Sequence, residues 1–401
     1  MIFFWPRSVF EEVHLKKDPG AIPLGFTKLG YKVILVVGRM KATHIWDTIE
    51  VIELGSRNSD KIEFSTNSIG NGLIKTYRVM KSLIYTIQGA IDSVRIFNKE
   101  DPSLIIALHL SLSSLLSIFL YKFTKTIKIR KSGGKNKLNE NRFLMKLDVN
   151  PDRIKKLYNS KHFIDFLVRF VYFITFLVYD RILVETSCAY NELNKLNFPP
   201  RFIKKLNIVP DGYFDEGIKI NKNHSRNIIL SIGTITYQKG FDILLGSFHK
   251  VHQYHTDWQL KIVGPIEDTL YYEQLQKLVT SFKLENSVVF TGGLYGDDLE
   301  REFNSASIFC FLSRSESFGI VRAEAIAHGL PVITSEAGCG VEYEKFGSIV
   351  VPIENVEKPY EAMLKLIENP GLRDEISMRQ IDAVMTFNEI AIKIDNLSRL
   401  E

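Results

Sequence analysis

The chain alternates short apolar runs with longer helical segments, and this alternation limits the folds open to it more than any other feature. Leu104–Leu108 and Phe143–Leu147 in the first half, and Gln259–Val263 and Ile308–Leu312 in the second, have the length and apolar composition of buried strands. Segments with helical spacing, such as Leu270–Phe282, separate the apolar runs. Strands that alternate with helices predict parallel sheets covered on both faces, so we predict an α/β fold.

The alternation occurs in two parts of similar size. Between them, Pro210-Asp211-Gly212 and the polar stretch that follows contain turn residues without periodic apolar positions, as a linker does. We therefore predict an N-terminal domain over residues 1–212, a linker over 213–226, a C-terminal domain over 227–375 and a helical segment over 376–401. Two such domains enclose a cleft in which ligands bind at the carboxyl ends of the strands.

Charge is divided unevenly along the chain. Residues 1–220 hold 34 Lys and Arg against 21 Asp and Glu, whereas residues 221–401 hold 17 against 25. This asymmetry predicts that the first half faces an anionic partner. The basic run at 122–137 has few interleaved aromatic residues, which argues against nucleic acid and favours an anionic membrane surface.

Two apolar stretches bear on the membrane hypothesis. Residues 102–121 are twenty in number and uncharged, but they include His109 and five serines and divide into a strand and a helix. We favour a buried strand–helix pair over a span and leave membrane contact open. Phe163–Tyr179 is rich in aromatic residues and suits either an interfacial or a core helix. Pro6 and Arg7 interrupt the apolar start, so we predict no signal peptide. We expect a cytoplasmic protein, peripheral on the inner face of the cytoplasmic membrane.

The cysteines and the short catalytic motifs exclude several classes of protein. Cys188, Cys310 and Cys339 have no C-x-x-C spacing, which argues against a zinc ribbon or a disulfide scaffold and favours a reducing compartment. We predict that Cys310 and Cys339 serve in packing. No Walker loop, H-E-x-x-H or G-x-S-x-G motif occurs, so the enzymes that use them have no support here.

The most informative segment is residues 313–325, which joins the strand Ile308–Leu312 to a helix. Glu316 lies in the loop, and Gly319 lies at the predicted helix start, where free backbone N–H groups and the helix dipole favour a phosphate. Glu324 follows about one and a half turns into the helix, and its side chain leans back toward the same cleft. Two carboxylates beside a diphosphate site suit the recognition of sugar hydroxyls.

Glu316 and Glu324 resemble the E-x7-E motif of retaining glycosyltransferases of the GT-B fold, especially glycosyltransferase family 4 (glycosyl transferases group 1). The pattern S-x-x-E-x-F-G-x-x-x-x-E-A around them is similar too, as is the loop 231–240, in which Lys239 matches a diphosphate-binding lysine. The resemblance implies two Rossmann-like domains, a C-terminal helix that crosses back to the N-terminal domain, and retention at the anomeric carbon. The donor residues that it implies are Gly233, Thr234, Lys239, Gly292, Glu316, Phe318, Gly319, Ile320 and Glu324.

The sequence departs from the family at two positions. Thr234 stands where the family often has a second cationic residue, an arginine, for the diphosphate. The family often has a histidine after an N-domain strand; here the matching strand is 143–148, so Asp148 or Lys146 is a candidate for the acceptor side, and His109 is another. Glu316, Lys239 and Asp148 are the residues that we predict to be catalytic.

The resemblance implies transfer of a hexose from a nucleotide diphosphate sugar, UDP- or GDP-linked, to a hydroxyl of a glycan or lipid-linked saccharide at a membrane surface. No D-x-D motif occurs, so we expect neither a divalent metal nor a cofactor. A GT-B epimerase or phosphorylase is the alternative enzyme, and an inactive sugar-nucleotide-binding scaffold is the alternative that is not an enzyme. Thr234 and the absent histidine would fit the scaffold.

Overall fold

The protein is described from a computed structural model, which covers residues 1–11, 14–43, 46–54, 71–131, 141–157, 160, 162–215, 218 and 226–400. Residues 132–137 of the basic run and most of the predicted linker, 216–217 and 219–225, lie outside these residues.

The N-terminal sheet is parallel throughout. Its described strands are β1 Ile2–Phe10, β2 Val33–Met40, β3 Ile49–Glu53, β4 Leu104–Leu108, β5 Arg142–Leu147, β6 Arg181–Val184 and β7 Leu206–Ile208, in the order β3-β2-β1-β4-β5-β6-β7. The helices around it are α1 Asp18–Lys28, α2 Asn71–Glu100, α3 Leu112–Lys131, α4 Pro151–Leu157, α5 Phe163–Val178, α6 Ser187–Asn194 and α7 Pro200–Ile203.

The C-terminal sheet repeats this design. Its described strands are β8 Ile228–Ile232, β9 Gln259–Val263, β10 Val288–Gly292, β11 Ile308–Phe311, β12 Val332–Ser335 and β13 Ile349–Val351, in the order β10-β9-β8-β11-β12-β13 and again all parallel. The accompanying helices are α8 Phe241–His252, α9 Thr269–Ser281, α10 Asp297–Ser305, α11 Ile320–Ala327, α12 Glu357–Glu368, α13 Pro370–Gln380 and α14 Phe387–Arg399.

Central strand β4 shows why apolar runs form these sheets. All five of its residues are buried, and alternate side chains point to opposite faces. Ile105 and Ala107 pack into the core on one face, and Ile106 and Leu108 into the core on the other. The strand β4 and the helix α3 confirm that 102–121 is a strand–helix pair, and no helix in the described ranges is long and apolar enough to cross a bilayer.

Helix α14 packs against α1 of the N-terminal domain. Its apolar face, Phe387, Ile390 and Ile394, is part of the core beneath β1 and β2. At Gly25 a Cβ would lie 2.7 Å from the Cβ of Ala391, so the two helices are too close for any larger residue there. The chain therefore returns to its first domain after completing the second.

Candidate active site

A cavity of about 1420 Å³ lies between the two domains, where the carboxyl ends of the strands of both sheets meet. The C-terminal domain lines it with the loops after β8, β9, β10 and β11 and with the start of α11. The N-terminal domain lines it with the segment before α1, the residues after β4, β5 and β6, and Asp211. Parallel sheets place their ligand sites at this end of the strands, so the cavity is the candidate active site.

The loop after β8 contributes Gly233, Thr234 and Lys239 to the cavity. The Lys239 side chain passes over Gly233, where a Cβ would lie 3.3 Å from its Cδ atom. Gly240 has φ +67°, and a Cβ there would lie 2.2 Å from the carbonyl oxygen of Leu312. Only glycine fits this turn, which directs Lys239 toward the loop after β11.

Lys239 and Glu316 form an ion pair in the cavity. Lys239 Nζ donates a hydrogen bond of 2.5 Å to Glu316 Oε1, and both side chains are mostly buried. The Cβ of Glu316 lies against the backbone of Gly338, where φ is +56° and an added Cβ would come within 2.5 Å. The two residues that the sequence predicts for the diphosphate and the donor sugar are thus brought into contact.

Helix α11 begins directly at the cavity. Its N-cap is Gly319, with φ +80°, and no side chain caps the first turn, so free N–H groups face the cavity beside Phe318, Ile320 and Glu316. Such an N-terminus favours an anion. Gly319 thus lies at the start of the helix, as the sequence predicts.

Glu324 lies about one turn further along α11 and also lines the cavity. Burial raises the pKa of its carboxyl above the ordinary value, and the positive charge of Lys17, from the other domain, opposes that rise. His328, four residues after Glu324, contacts the backbone of that residue rather than its carboxylate. Its Nδ1 lies 2.7 Å from the Glu324 carbonyl oxygen, and its Nε2 lies 2.6 Å from the Glu300 carboxylate.

On the N-terminal side, Asp148 and His109 line the cavity, and Lys146 does not. Asp148 is exposed at the end of β5. His109 is half-buried with φ +60°, and burial lowers the pKa of its imidazole. Lys146 cannot contact an acceptor as the sequence suggested, because its side chain is only 3% exposed and is enclosed by carboxylates.

Three carboxylates surround Lys146. Its Nζ lies 2.6 Å from Asp18 and 3.6 Å from Glu185, and it also contacts Asp211. Burial alone would lower the pKa of Lys146, but these carboxylates raise it well above its ordinary value. Oxygen atoms of the three acids lie within 4.8 Å of one another, which would suit a metal ion, but the Lys146 ammonium already supplies positive charge there.

Cys188, at the start of α6, forms a disulfide with Cys339 of the loop after β12. The prediction that Cys339 serves only in packing is therefore wrong, because the fold brings together two cysteines 151 residues apart. Beside the disulfide, Ser187 donates from its backbone N–H and its hydroxyl to Glu342. These contacts join the N-terminal domain to the loop that carries Gly338.

Three further residues lie apart from the cavity. Arg314 pairs with Asp242 and Glu354, and Arg322 is fully buried, where it donates to the Phe318 carbonyl and the Thr334 hydroxyl. Gly292 ends β10 and its carbonyl accepts from the Gly264 N–H, but it does not line the cavity; Gly293 does. Lys16, Lys17 and Asp18 also line the cavity; the sequence Lys17-Asp18-Pro19-Gly20 resembles the N-terminal glycine loop of the family, but it predicts no role for these side chains.

Comparison with known proteins agrees with this geometry. Residues 215–381 match the model of the family glycosyl transferases group 1. An uncharacterised glycosyltransferase of Haemophilus influenzae is 33% identical over 152 residues, 37% of this chain and 42% of that protein. A lipopolysaccharide core biosynthesis mannosyltransferase of Rhizobium leguminosarum is 25% identical over 39% of this chain and 46% of its own length. These alignments thus span less than half of each relative.

Similarity in three dimensions extends over both domains. The crystal structure of Anabaena HepE in complex with UDP and glucose superposes with a TM-score of 0.65 over 100% of this chain and 99% of that one, at 15% identity, which supports the fold alone. Two parallel sheets facing one cleft are the GT-B architecture. The chain thus has this fold throughout, and over its second domain, residues 215–381, it is similar to the glycosyl transferases group 1 family.

Proposed function

We propose that the protein transfers a hexose from a nucleotide diphosphate sugar to a hydroxyl acceptor, with retention at the anomeric carbon. The observation that carries the proposal is the Lys239–Glu316 pair beside the open N-terminus of α11, within the interdomain cavity. A cation, a carboxylate and free N–H groups match the diphosphate and the hydroxyls of such a donor. The UDP in the HepE complex is consistent with a donor of this class.

The residues of the C-terminal domain divide the donor between them. Lys239 and the N–H groups from Gly319 onward bind the diphosphate, Glu316 binds hydroxyls of the donor sugar, and Glu324 binds the ribose. The bond between the anomeric carbon and the β-phosphate oxygen breaks, and its electron pair stays on the phosphate. The acceptor oxygen bonds to the same face of that carbon, and its proton passes to the phosphate oxygen. Lys239 stabilises part of the charge that develops there.

The acceptor enters from the N-terminal domain in this scheme. Asp148 is the exposed carboxylate at the end of β5, and it positions the acceptor hydroxyl by accepting its hydrogen bond. His109 is the alternative for that role, because it lines the same side of the cavity and burial favours its neutral form, which has a free acceptor nitrogen.

The acceptor is a glycan or lipid-linked saccharide at an anionic membrane in our proposal. Helices α2, α3 and α5 pack side by side, and all three expose large apolar side chains. Exposed apolar side chains of this number on adjacent helices suit an interface with lipid, and the basic excess of the first half complements an anionic surface. The side chains are Ile84, Tyr85, Ile87, Ile91, Leu112, Phe119, Phe123, Ile127, Phe163, Ile164, Phe166, Leu167, Phe170 and Leu177.

Nucleotide release from a panel of UDP-, GDP- and ADP-sugars tests the function, with and without a membrane lipid extract. We expect release from one donor, stimulated by the extract and lost in Glu316→Ala. Glu285→Ala, an exposed carboxylate of the same domain, is the matched control and should behave as wild type. A new sugar nucleotide without a transfer product would instead indicate an epimerase, and binding without release under every condition would indicate a scaffold.

Membrane contact has its own test. Wild-type protein should sediment with anionic vesicles more than with zwitterionic ones, and less so as salt increases. The double change Phe163→Ser and Phe166→Ser should reduce sedimentation, whereas Tyr254→Ser, an exposed aromatic residue of the C-terminal domain, should not. Equal sedimentation of all three proteins would refute the proposed face.

A further inference from the structure

The side of the cavity that receives the donor diphosphate is poor in positive charge. Its carboxylates are Glu300, Glu316 and Glu324, whereas Lys239 is its one lysine or arginine among the described lining residues. Lys239 is itself hydrogen-bonded to Glu316. A diphosphate is negative on both phosphates and gains further charge when the sugar leaves, so the C-terminal domain alone leaves much of that charge unbalanced.

The N-terminal domain contributes a lysine to the cavity that receives the diphosphate. Leu15, which precedes Lys16 and Lys17, and Ile320, the first residue of α11, pack against the same apolar core of the N-terminal domain. The segment before α1 and the helix start that is open to an anion thus line the same cavity. Lys16 and Lys17 both line the cavity.

The backbone holds Lys17 in place as the N-cap of α1. Its N–H donates to the His14 carbonyl at 3.2 Å, and its own carbonyl accepts from Gly20 and Ala21 at 3.0 and 2.7 Å. Its side chain is half-buried, and among the charged groups that act on Glu324 its ammonium has the largest effect. Glu324 lies on α11, so the ammonium is close to the helix whose start is the anion site. Lys41, by contrast, is already paired with Glu11 at 3.3 Å.

We propose that Lys17 is a catalytic residue, whose ammonium binds the donor diphosphate from the N-terminal domain, opposite Lys239. This inference rests on the proposed function and supplies the second cation that Thr234 cannot provide. Lys17 stays protonated throughout: it donates hydrogen bonds to the phosphate oxygen that keeps the electron pair of the broken bond, and the acceptor proton goes to the phosphate. The diphosphate then bridges the two domains, and its charge is balanced only when both contact it.

Calorimetric binding of nucleotides to full-length protein provides the test, with UDP, UMP, GDP and GMP as probes. Lys17→Met should weaken binding of the diphosphate at least about tenfold and leave binding of the monophosphate within about twofold, because only the diphosphate reaches both lysines. Turnover of the donor sugar should fall by about a hundredfold. Lys17→Arg should retain part of the diphosphate binding and part of the turnover that Lys17→Met loses. Lys16→Met is the matched control, since it removes the same charge from the adjacent, exposed position.

The outcomes separate this inference from the function on which it rests. If wild-type protein binds neither diphosphate, the proposed function fails before Lys17 is tested. If wild type binds one of them and Lys17→Met binds it equally well, Lys17 has no such role, although the function stands. Equal losses in Lys16→Met and Lys17→Met would also overturn the assignment, because they would indicate a general field of the segment. Unchanged melting temperatures exclude misfolding of the variants.

Discussion

Removing the Cys188–Cys339 disulfide should destabilise the protein, because it removes a covalent link between the two domains. The bond joins α6 of the N-terminal domain to the loop after β12, which touches Glu316 through Gly338. The perturbation is reduction with a thiol reagent, or the substitution Cys188→Ala. Both leave the hydrogen bonds from Ser187 to Glu342 in place, so they remove the covalent link alone.

The expected magnitude follows from the length of chain that the bond closes. The two cysteines are 151 residues apart, and the chain-entropy model gives about 5 kcal/mol for a loop of that length. Measured effects are commonly smaller, about 2–4 kcal/mol. Each hydrogen bond that remains contributes only about 1 kcal/mol and cannot replace the link. We therefore expect a loss of about 2–5 kcal/mol in the free energy of unfolding, or roughly 2–6 °C in melting temperature.

Thermal melts with and without reductant measure this effect. Wild type should melt lower in reductant, Cys188→Ala should melt low in both conditions, and Cys310→Ala should respond to reductant as wild type does. Cys310 is the matched control because it is a buried free thiol in β11. Peptide mapping without reductant should recover the two linked peptides. The reasoning would be refuted if reductant left the wild-type melting temperature unchanged, or if the peptides that carry Cys188 and Cys339 were not found linked.

Three further predictions concern single residues. Lys146→Met leaves three buried carboxylates without their cation, so urea denaturation should show a loss of about 3–5 kcal/mol in the free energy of unfolding. An unchanged midpoint would mean that the three acids are neutral when the Lys146 ammonium is absent. Burial would raise the pKa of Asp242, but the Arg314 hydrogen bonds outweigh it and lower the pKa. The Asp242–Arg314 pair therefore stabilises the folded protein above the unfolded pKa of about 4, and this stability is lost as pH falls below it. Asp242→Asn should flatten the acidic part of a profile of melting temperature against pH. Gly338→Ala should displace Glu316, so turnover in the nucleotide-release assay should fall more than about tenfold. A wild-type rate would refute the contact between Gly338 and Glu316.

Buried parallel strands were predictable because they are nearly continuous apolar runs between turn residues. Strand β4 is Leu104–Leu108 in both prediction and structure, and β9 is Gln259–Val263 in both. Strands β3 and β7 were not predicted. Both lie at sheet edges, where β3 is only partly buried and β7 has three residues, so neither leaves a strong apolar signal.

The candidate site was predictable where its residues are local in sequence. Glu316, Gly319 and Glu324 belong to one strand–loop–helix unit, whose spacing alone places them together. Contacts between distant loops have no such signal. The cluster around Lys146 draws one carboxylate each from α1, the end of β6 and the interdomain segment, and the disulfide joins residues of different domains. The distances in the cluster depend on how the elements of the first domain pack, and the disulfide depends on how the two domains are placed; no local pattern records either.

Several contacts that cross the cleft end on the donor side of the cavity itself. Asn150 donates to Ser315 at 2.7 Å, the residue before Glu316. The disulfide ends at Cys339, next to Gly338, whose backbone supports Glu316 from below. Ile320, the first residue of the anion-binding helix, packs into the N-terminal core. Because these contacts hold the groups that face the donor, a shift of one domain against the other alters the donor site, and donor binding must in turn bias the position of the domains.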